Sequence, residues 1–272
     1  MGKVKIYRNI ASLKDTDIFY LDTKTDGPVI LCLHGRWGRA ETWYDLIQKY
    51  GSRYRIIAPD QRGHGLSGKP VSEYTAEEMS GDMAELLEHL EIHRAIVVGH
   101  SMGGRIAAYL TALYPYRVSA LAILDKSASS PEVVCPDAPD PLTKDWPLPF
   151  SSMTEARSFI RQAAESELSF QYYMNSLVET VEGCSMMFSS RAMAAGIASD
   201  REWYHLLPAI KCPVLLVRSG SHEAVPDEDF ARMQQLLTHC LAYETADPDH
   251  NVHLGNKEEF YGYLDELLKV VS

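Results

Sequence analysis

The string Gly99-His100-Ser101-Met102-Gly103 constrains this chain more than any other feature. It follows Arg94-Ala-Ile-Val-Val98, a short β-branched run that reads as a buried strand. It precedes Arg105-Ile-Ala-Ala-Tyr-Leu-Thr-Ala-Leu113, which reads as a helix. A strand-to-helix turn this tight drives backbone against backbone on both sides of the serine, and only glycine tolerates that crowding. The serine is pushed toward sparsely populated φ/ψ space, which lifts its hydroxyl clear of the sheet. The helix behind it aims its positive dipole end at the place where an oxyanion forms. A Gly-x-Ser-x-Gly string alone is weak. The flanking strand and helix make it a candidate nucleophile elbow.

The rest of the chain supplies the sheet such an elbow needs. Val4-Lys-Ile-Tyr7 and Asp17-Ile-Phe-Tyr-Leu21 read as early strands, and Val29-Ile-Leu-Cys-Leu33 as a buried strand ending at His34-Gly35. A helix is expected over 41–50, then the strand Arg55-Ile-Ile-Ala58 and a glycine-rich loop from Asp60 to Gly68. Thr75-Ala-Glu-Glu78 is a capping box opening a helix that runs to about Leu90. A strand follows the elbow helix over 118–124. Strands alternating with helices predict an α/β fold: a mostly parallel central sheet flanked by helices, with function at the carboxyl ends of the strands.

The alternation stops after Asp125. Residues 127–150 are rich in Pro, Ser and Asp, and 153–207 reads as helical, without strands. The sheet pattern resumes at Pro213-Val-Leu-Leu-Val217, followed by a helix over 227–237, a strand near 241–244 and a closing helix over 257–271. The expected organisation is a core domain of residues 1–130 and 208–272, with a helical cap inserted over 131–207.

Composition narrows the function classes. With 272 residues and 46% hydrophobic content the chain can bury a large core. A net charge of −11 argues against non-specific nucleic-acid binding and against anionic membranes, and mildly against a strongly anionic substrate. The five cysteines are odd in number, widely spaced and free of a Cys-x-x-Cys pair, the usage of a reduced cytoplasmic protein. No apolar signal segment opens the chain, and Gly2 is not followed by Ser or Thr at position 6, so myristoylation is not expected. No segment reaches the apolar length of a membrane span.

Several spaced motifs stand in one order: Leu33-His34-Gly35, Asp60-Gln-Arg-Gly-His-Gly-Leu-Ser67, Gly99-His-Ser-Met-Gly-Gly104, Cys212-Pro-Val-Leu-Leu-Val217 and His250-Asn-Val-His-Leu254. In this the chain resembles the α/β-hydrolase superfamily over nearly its whole length. The resemblance implies Ser101 as nucleophile and His250 as its base, with His253 the competing histidine. It implies an oxyanion hole from the backbone N–H groups of Met102 and Arg36. Members usually carry an Asp shortly after the strand here formed by 214–217, but that position holds His222, which cannot fix the imidazole tautomer or offset its charge. Two carboxylates could replace it: Asp125, ending the strand after the elbow helix, which is preferred, or Glu223. Asp60 and its loop read as structural.

Arg36, Trp37, Arg105 and Trp146 are candidate substrate contacts. No metal and no nicotinamide or flavin cofactor is expected, since neither a ligand spacing nor a dinucleotide fingerprint occurs. The expected function is hydrolysis of a carboxylic ester or lactone of a small organic substrate through an acyl-enzyme, by a monomer or homodimer. Two rivals differ in class. Ser101-Met-Gly-Gly-Arg105 resembles the elbow of the menaquinone-pathway cyclohexadiene-carboxylate synthase, which suggests carbon–carbon hydrolysis or a lyase step. The absent acid after 214–217 suggests a ligand sensor with an idle triad.

Overall fold

The computed structural model describes residues 3–130 and 138–271. Gly2, Cys135 and the expected start of the insertion at residue 131 lie outside them. In chain order the elements are β1 (Tyr7–Ser12), β2 (Asp17–Asp22), β3 (Val29–Leu33), α1 (Tyr44–Tyr50), β4 (Arg55–Pro59), α2 (Ala76–His89), β5 (Ala95–His100), α3 (Met102–Leu113) and β6 (Val118–Leu124). After an inserted stretch come β9 (Val214–Arg218), α7 (Asp227–Leu236), β10 (Cys240–Glu244) and α8 (Lys257–Val270). The inserted stretch carries α4 (Met153–Ala163), α5 (Glu167–Asn175), a hairpin of β7 (Leu177–Thr180) and β8 (Gly183–Met186), and α6 (Ser190–Ala198).

Eight strands form one sheet in the order β1-β2-β4-β3-β5-β6-β9-β10. β1 and β2 run antiparallel, and β2 meets β4 antiparallel; β4, β3, β5, β6, β9 and β10 are parallel to one another. The sheet is mostly parallel because it is apolar on both faces, which parallel sheets require. Leu31, Leu33 and Val97 point to a core shared with Met79, Met83 and Leu86 of α2 and Ile106 and Leu110 of α3. Ile30, Cys32, Ile96 and Val98 point the other way, onto Ile47 and Tyr50 of α1 and Phe260 and Leu264 of α8. The chain leaves β3 toward β4 on one side and returns to β5 on the other, so a crevice opens at their carboxyl ends.

Thr75 accepts the Glu78 N–H while Glu78 reaches back to the Thr75 N–H, closing the expected capping box. Two expectations are corrected. The first strand covers Tyr7–Ser12 rather than 4–7: an edge strand that pairs only with β2, it shows alternate exposed residues and carries little apolar signal. The stretch 153–207 does contain strands. Those of the β7–β8 hairpin are four residues each, too short to show a period of two, and turn at Gly183 with φ +129°.

The inserted stretch is built around its own small core of Phe150, Ala156, Ile160, Phe170 and Cys184. Its helices are started by Ser152, Ser166 and Ser189, each accepting a backbone N–H three residues on. No helix among the described residues is long and apolar enough to cross a membrane.

Candidate active site

The elbow has the geometry its glycines allow. Ser101 sits at φ 51° and ψ −118°, a strained conformation for a side-chain-bearing residue. A Cβ on Gly99 would lie 2.2 Å from the Gly103 carbonyl oxygen, and one on Gly103 would lie 2.3 Å from that of Leu33. Glycine at both positions is therefore a steric requirement. The Ser101 N–H continues the sheet ladder to the Leu124 carbonyl at 2.8 Å, which pins the turn to β6. α3 begins at Met102 with no acidic residue in its first turn, so nothing neutralises the positive end of its dipole.

Ser101 opens into a cavity of about 840 Å³ that is also lined by His250, Asp125, Arg36, Trp37 and Tyr172. His250 follows β10 in a loop braced by carboxylates. Asp247 accepts the Asp249 N–H at 3.0 Å, and Asp249 accepts both the backbone N–H and the side-chain amide of Asn251 at 2.7 and 3.0 Å. The His250 Nδ1 lies 2.8 Å from Asp125 Oδ2. With the carboxylate as acceptor, the contact selects the tautomer of the neutral ring with N–H at Nδ1 and the lone pair at Nε2. Asp125 is fully buried, and its other oxygen accepts the Ser219 N–H at 2.8 Å.

Glu223, the alternative acid, is exposed and lines the cavity; its backbone N–H donates to Ser221 Oγ at 3.4 Å, and its carboxylate makes no hydrogen bond or ion pair among the described residues. His222, at the position the family usually fills with Asp, turns outward to Glu244 at 2.9 Å and Asp227 at 3.2 Å. His253, the rival base, is buried under Trp43 with both ring nitrogens unpartnered. Burial first, then the His250 charge, pushes its pKa down to about 3, so it stays neutral.

Two substrate-contact expectations are corrected. Arg105 is 2% exposed, pairs with Asp200 at 2.6 Å and does not line the cavity. The pairing takes its guanidinium to Asp200, just past the end of α6. Trp146 does not reach the cavity either; it packs on Phe150, Phe159 and Tyr173 in the core of the insertion. Trp37 lines the cavity at φ +64°, its indole N–H donated to Asp140 at 3.0 Å and its carbonyl accepting from Ser176 at 2.7 Å. The Asp60 loop is structural: the Asp60 carboxylate accepts the Ala40 and Leu66 N–H groups at 2.7 and 2.8 Å.

Three further residues support the site, of which Ser219 carried no signal in the sequence. Ser219 supplies the N–H that orients Asp125. Tyr172, from the insertion, closes over the loop at Gly35 and Gly38. His100 donates from Nε2 to the His250 carbonyl at 2.8 Å, tying the elbow to the loop that carries His250. Burial above all, with His253 and His250 beside it, holds His100 neutral. Only its place beside the serine could have flagged it. His34, ending β3, accepts the Gln61 N–H at Nε2 and donates from Nδ1 to the Gly35 carbonyl, fixing the loop that carries Arg36.

Comparison with known proteins agrees with this fold. The first curated relatives, uncharacterized mycobacterial proteins, are 36% identical over 107 residues, and the matched stretch spans 31% of their length. The 2-(acetamidomethylene)succinate hydrolase of Mesorhizobium japonicum is 29% identical over 85% of this chain and 84% of its own. Among solved structures, an E-2-(acetamidomethylene)succinate hydrolase superposes with a TM-score of 0.83 at 23% identity, over 97% of this chain and all of that one. The enol-lactonase of Burkholderia xenovorans gives 0.78 at 19% identity, over 96% of this chain and all of that one. The family model for the alpha/beta hydrolase fold matches residues 28–257, and the chain belongs to that family.

Proposed function

We propose that this protein is a serine hydrolase that cleaves a carboxylic ester or lactone of a small organic molecule through an acyl-enzyme. The observation that carries the reading is the Asp125–His250 contact of 2.8 Å beside Ser101 in one cavity. Ser101 Oγ attacks the carbonyl carbon as His250 Nε2 takes the hydroxyl proton. Buried Asp125 stabilises the imidazolium without itself taking a proton. The N–H groups of Met102 and Arg36 hold the oxyanion. The intermediate collapses, His250 gives its proton to the departing alkoxide, and the alcohol leaves. Water, deprotonated by His250, then attacks the acyl carbon and releases the acid and Ser101.

The 29% identical relative with a hydrolase name over most of its length supports hydrolysis in general. Two observations favour this reading over its rivals. Arg105, which in the synthase reading pairs with a substrate carboxylate, does not line the cavity and gives its Nη1 to Asp200. The sensor reading began from a missing acid, and Asp125 stands against His250.

The test is hydrolysis of p-nitrophenyl acetate, butyrate and octanoate by wild type and Ser101→Ala, with intact-mass detection of an acyl adduct. Turnover that disappears in Ser101→Ala, with an adduct on wild type alone, is expected. Equal rates in the two proteins would contradict the assignment of Ser101.

A further inference from the structure

We propose that the cavity selects acyl groups that carry a carboxylate a short spacer away from the scissile carbonyl, and that the Arg36 side chain binds that carboxylate. The inference rests on the reading of Ser101 as an acyl nucleophile and names its substrate class.

Arg36 lines the cavity beside Ser101. Its guanidinium has no hydrogen-bond or ion-pair partner among the described residues, and its Nε is closed off from solvent without one. Behind it, Arg105 and Lys126 share a single carboxylate, Asp200, at 2.6 and 3.4 Å. Arg105 Nε and Nη2, the edge that makes bidentate carboxylate pairs, are buried and unpartnered. Asp140, the other carboxylate near Arg36, already accepts from Trp37 and Thr143. Around Arg36, behind the cavity wall, three cations thus share two carboxylates.

Burial, and then the Arg105 charge, lower the Arg36 pKa to about 10, yet the group remains charged at neutral pH. A desolvated cation without a counter-ion costs stability unless a ligand supplies the missing charge. A carboxylate matches the planar guanidinium in shape and in charge.

Glu165, Glu223, Asp247 and Asp249 also line the cavity, the first two exposed. Against these carboxylates, Arg36 is the one Lys or Arg side chain of the described lining that can hold an anion. The Arg36 backbone N–H belongs to the loop expected to hold the oxyanion, so its side chain departs from beside the reacting carbonyl. The substrate's carboxylate is assigned to the acyl side of that carbonyl.

The experiment compares ethyl hydrogen succinate with ethyl 4-methylpentanoate, in which an isopropyl group replaces the carboxylate at equal size. Wild type is expected to favour the half-ester at least tenfold in kcat/KM, mainly through KM. In Arg36→Gln the ratio should fall to near one, and Arg36→Lys should keep part of it. Reading the ratio within each variant cancels any general loss of catalysis. In parallel, glutarate is titrated calorimetrically into Ser101→Ala and into the double variant with Arg36→Gln, with at least tenfold weaker binding expected in the latter. Equal kcat/KM for the two esters in wild type, or a preference that survives in Arg36→Gln, overturns the inference and leaves the hydrolase reading standing. If neither ester turns over, the hydrolase reading is at fault and the titration decides: glutarate binding lost with Arg36 upholds the anion site, and no binding overturns it.

Discussion

The loops that follow β6 and β9 leave adjacent strands of one sheet, and they treat His250 in opposite ways. The β6 loop brings the Asp125 carboxylate to the imidazole, with Asp125 fully buried and at φ +47°. The β9 loop brings only a backbone N–H, from Ser219 to the far oxygen of Asp125. Arg218, the last residue of β9, and His222 of the loop both contact Glu244 and Asp227 instead. The pair shows that the role of an acid belongs to a place in space that two neighbouring strand ends can serve. A carboxylate supplied from β6 frees the β9 loop for surface ion pairs, and a main-chain donor from β9 then orients the acid.

The largest effect that could break this comparison is at the shared partner. His250→Gln should lower kcat on a reactive ester by about 10⁴-fold or more, as expected when the base of a serine triad is lost. The same change at His253 should lower kcat far less, because His253 contacts neither Asp125 nor Ser101. If the two histidine variants lose equal activity, His250 is not the sole base.

A smaller effect concerns stability in acid. His253 titrates at about 3 in the folded protein and near 6.5 unfolded, and His100 and His64 are also held well below that ordinary value by burial. Across that interval the unfolded chain binds more protons, so stability is full above about 6.5 and falls as pH drops toward 3. Urea unfolding between pH 6 and 4 should show this fall. In His253→Asn its slope should ease by about 1.4 kcal/mol per pH unit. An unchanged slope would show that His253 is not held neutral.

The smallest effect is in the β9 loop itself. His222→Ala removes two exposed ion-pair contacts and should cost under about 1 kcal/mol in a thermal or urea melt, with kcat unchanged within about twofold. A loss of kcat beyond tenfold would show that this loop does more than orient Asp125 through Ser219.

What was legible in the sequence follows the range of the interactions. The elbow, the capping box at Thr75 and the strands β3, β5 and β6 are local patterns, and they stand where the residues indicated. The acid was open between Asp125 and Glu223 because its partner lies 125 residues away, beyond any local pattern. Arg105 was misread because Asp200, its counter-ion, lies 95 residues on, inside the insertion. Trp146 was misread because an aromatic residue in an insertion fills that insertion's own core as readily as a pocket. The β7–β8 hairpin escaped because four-residue strands carry no measurable alternation. Ser219 could not be found from residue type, since it acts through its main chain.

The most direct test of the account is kcat on p-nitrophenyl acetate for Asp125→Asn and Glu223→Gln, measured side by side against wild type. The account predicts a fall of about 10⁴-fold for Asp125→Asn, as when a triad carboxylate is replaced by its amide, and a change within about threefold for Glu223→Gln. The reverse order, or two equal losses, would contradict the placement of the acid on β6.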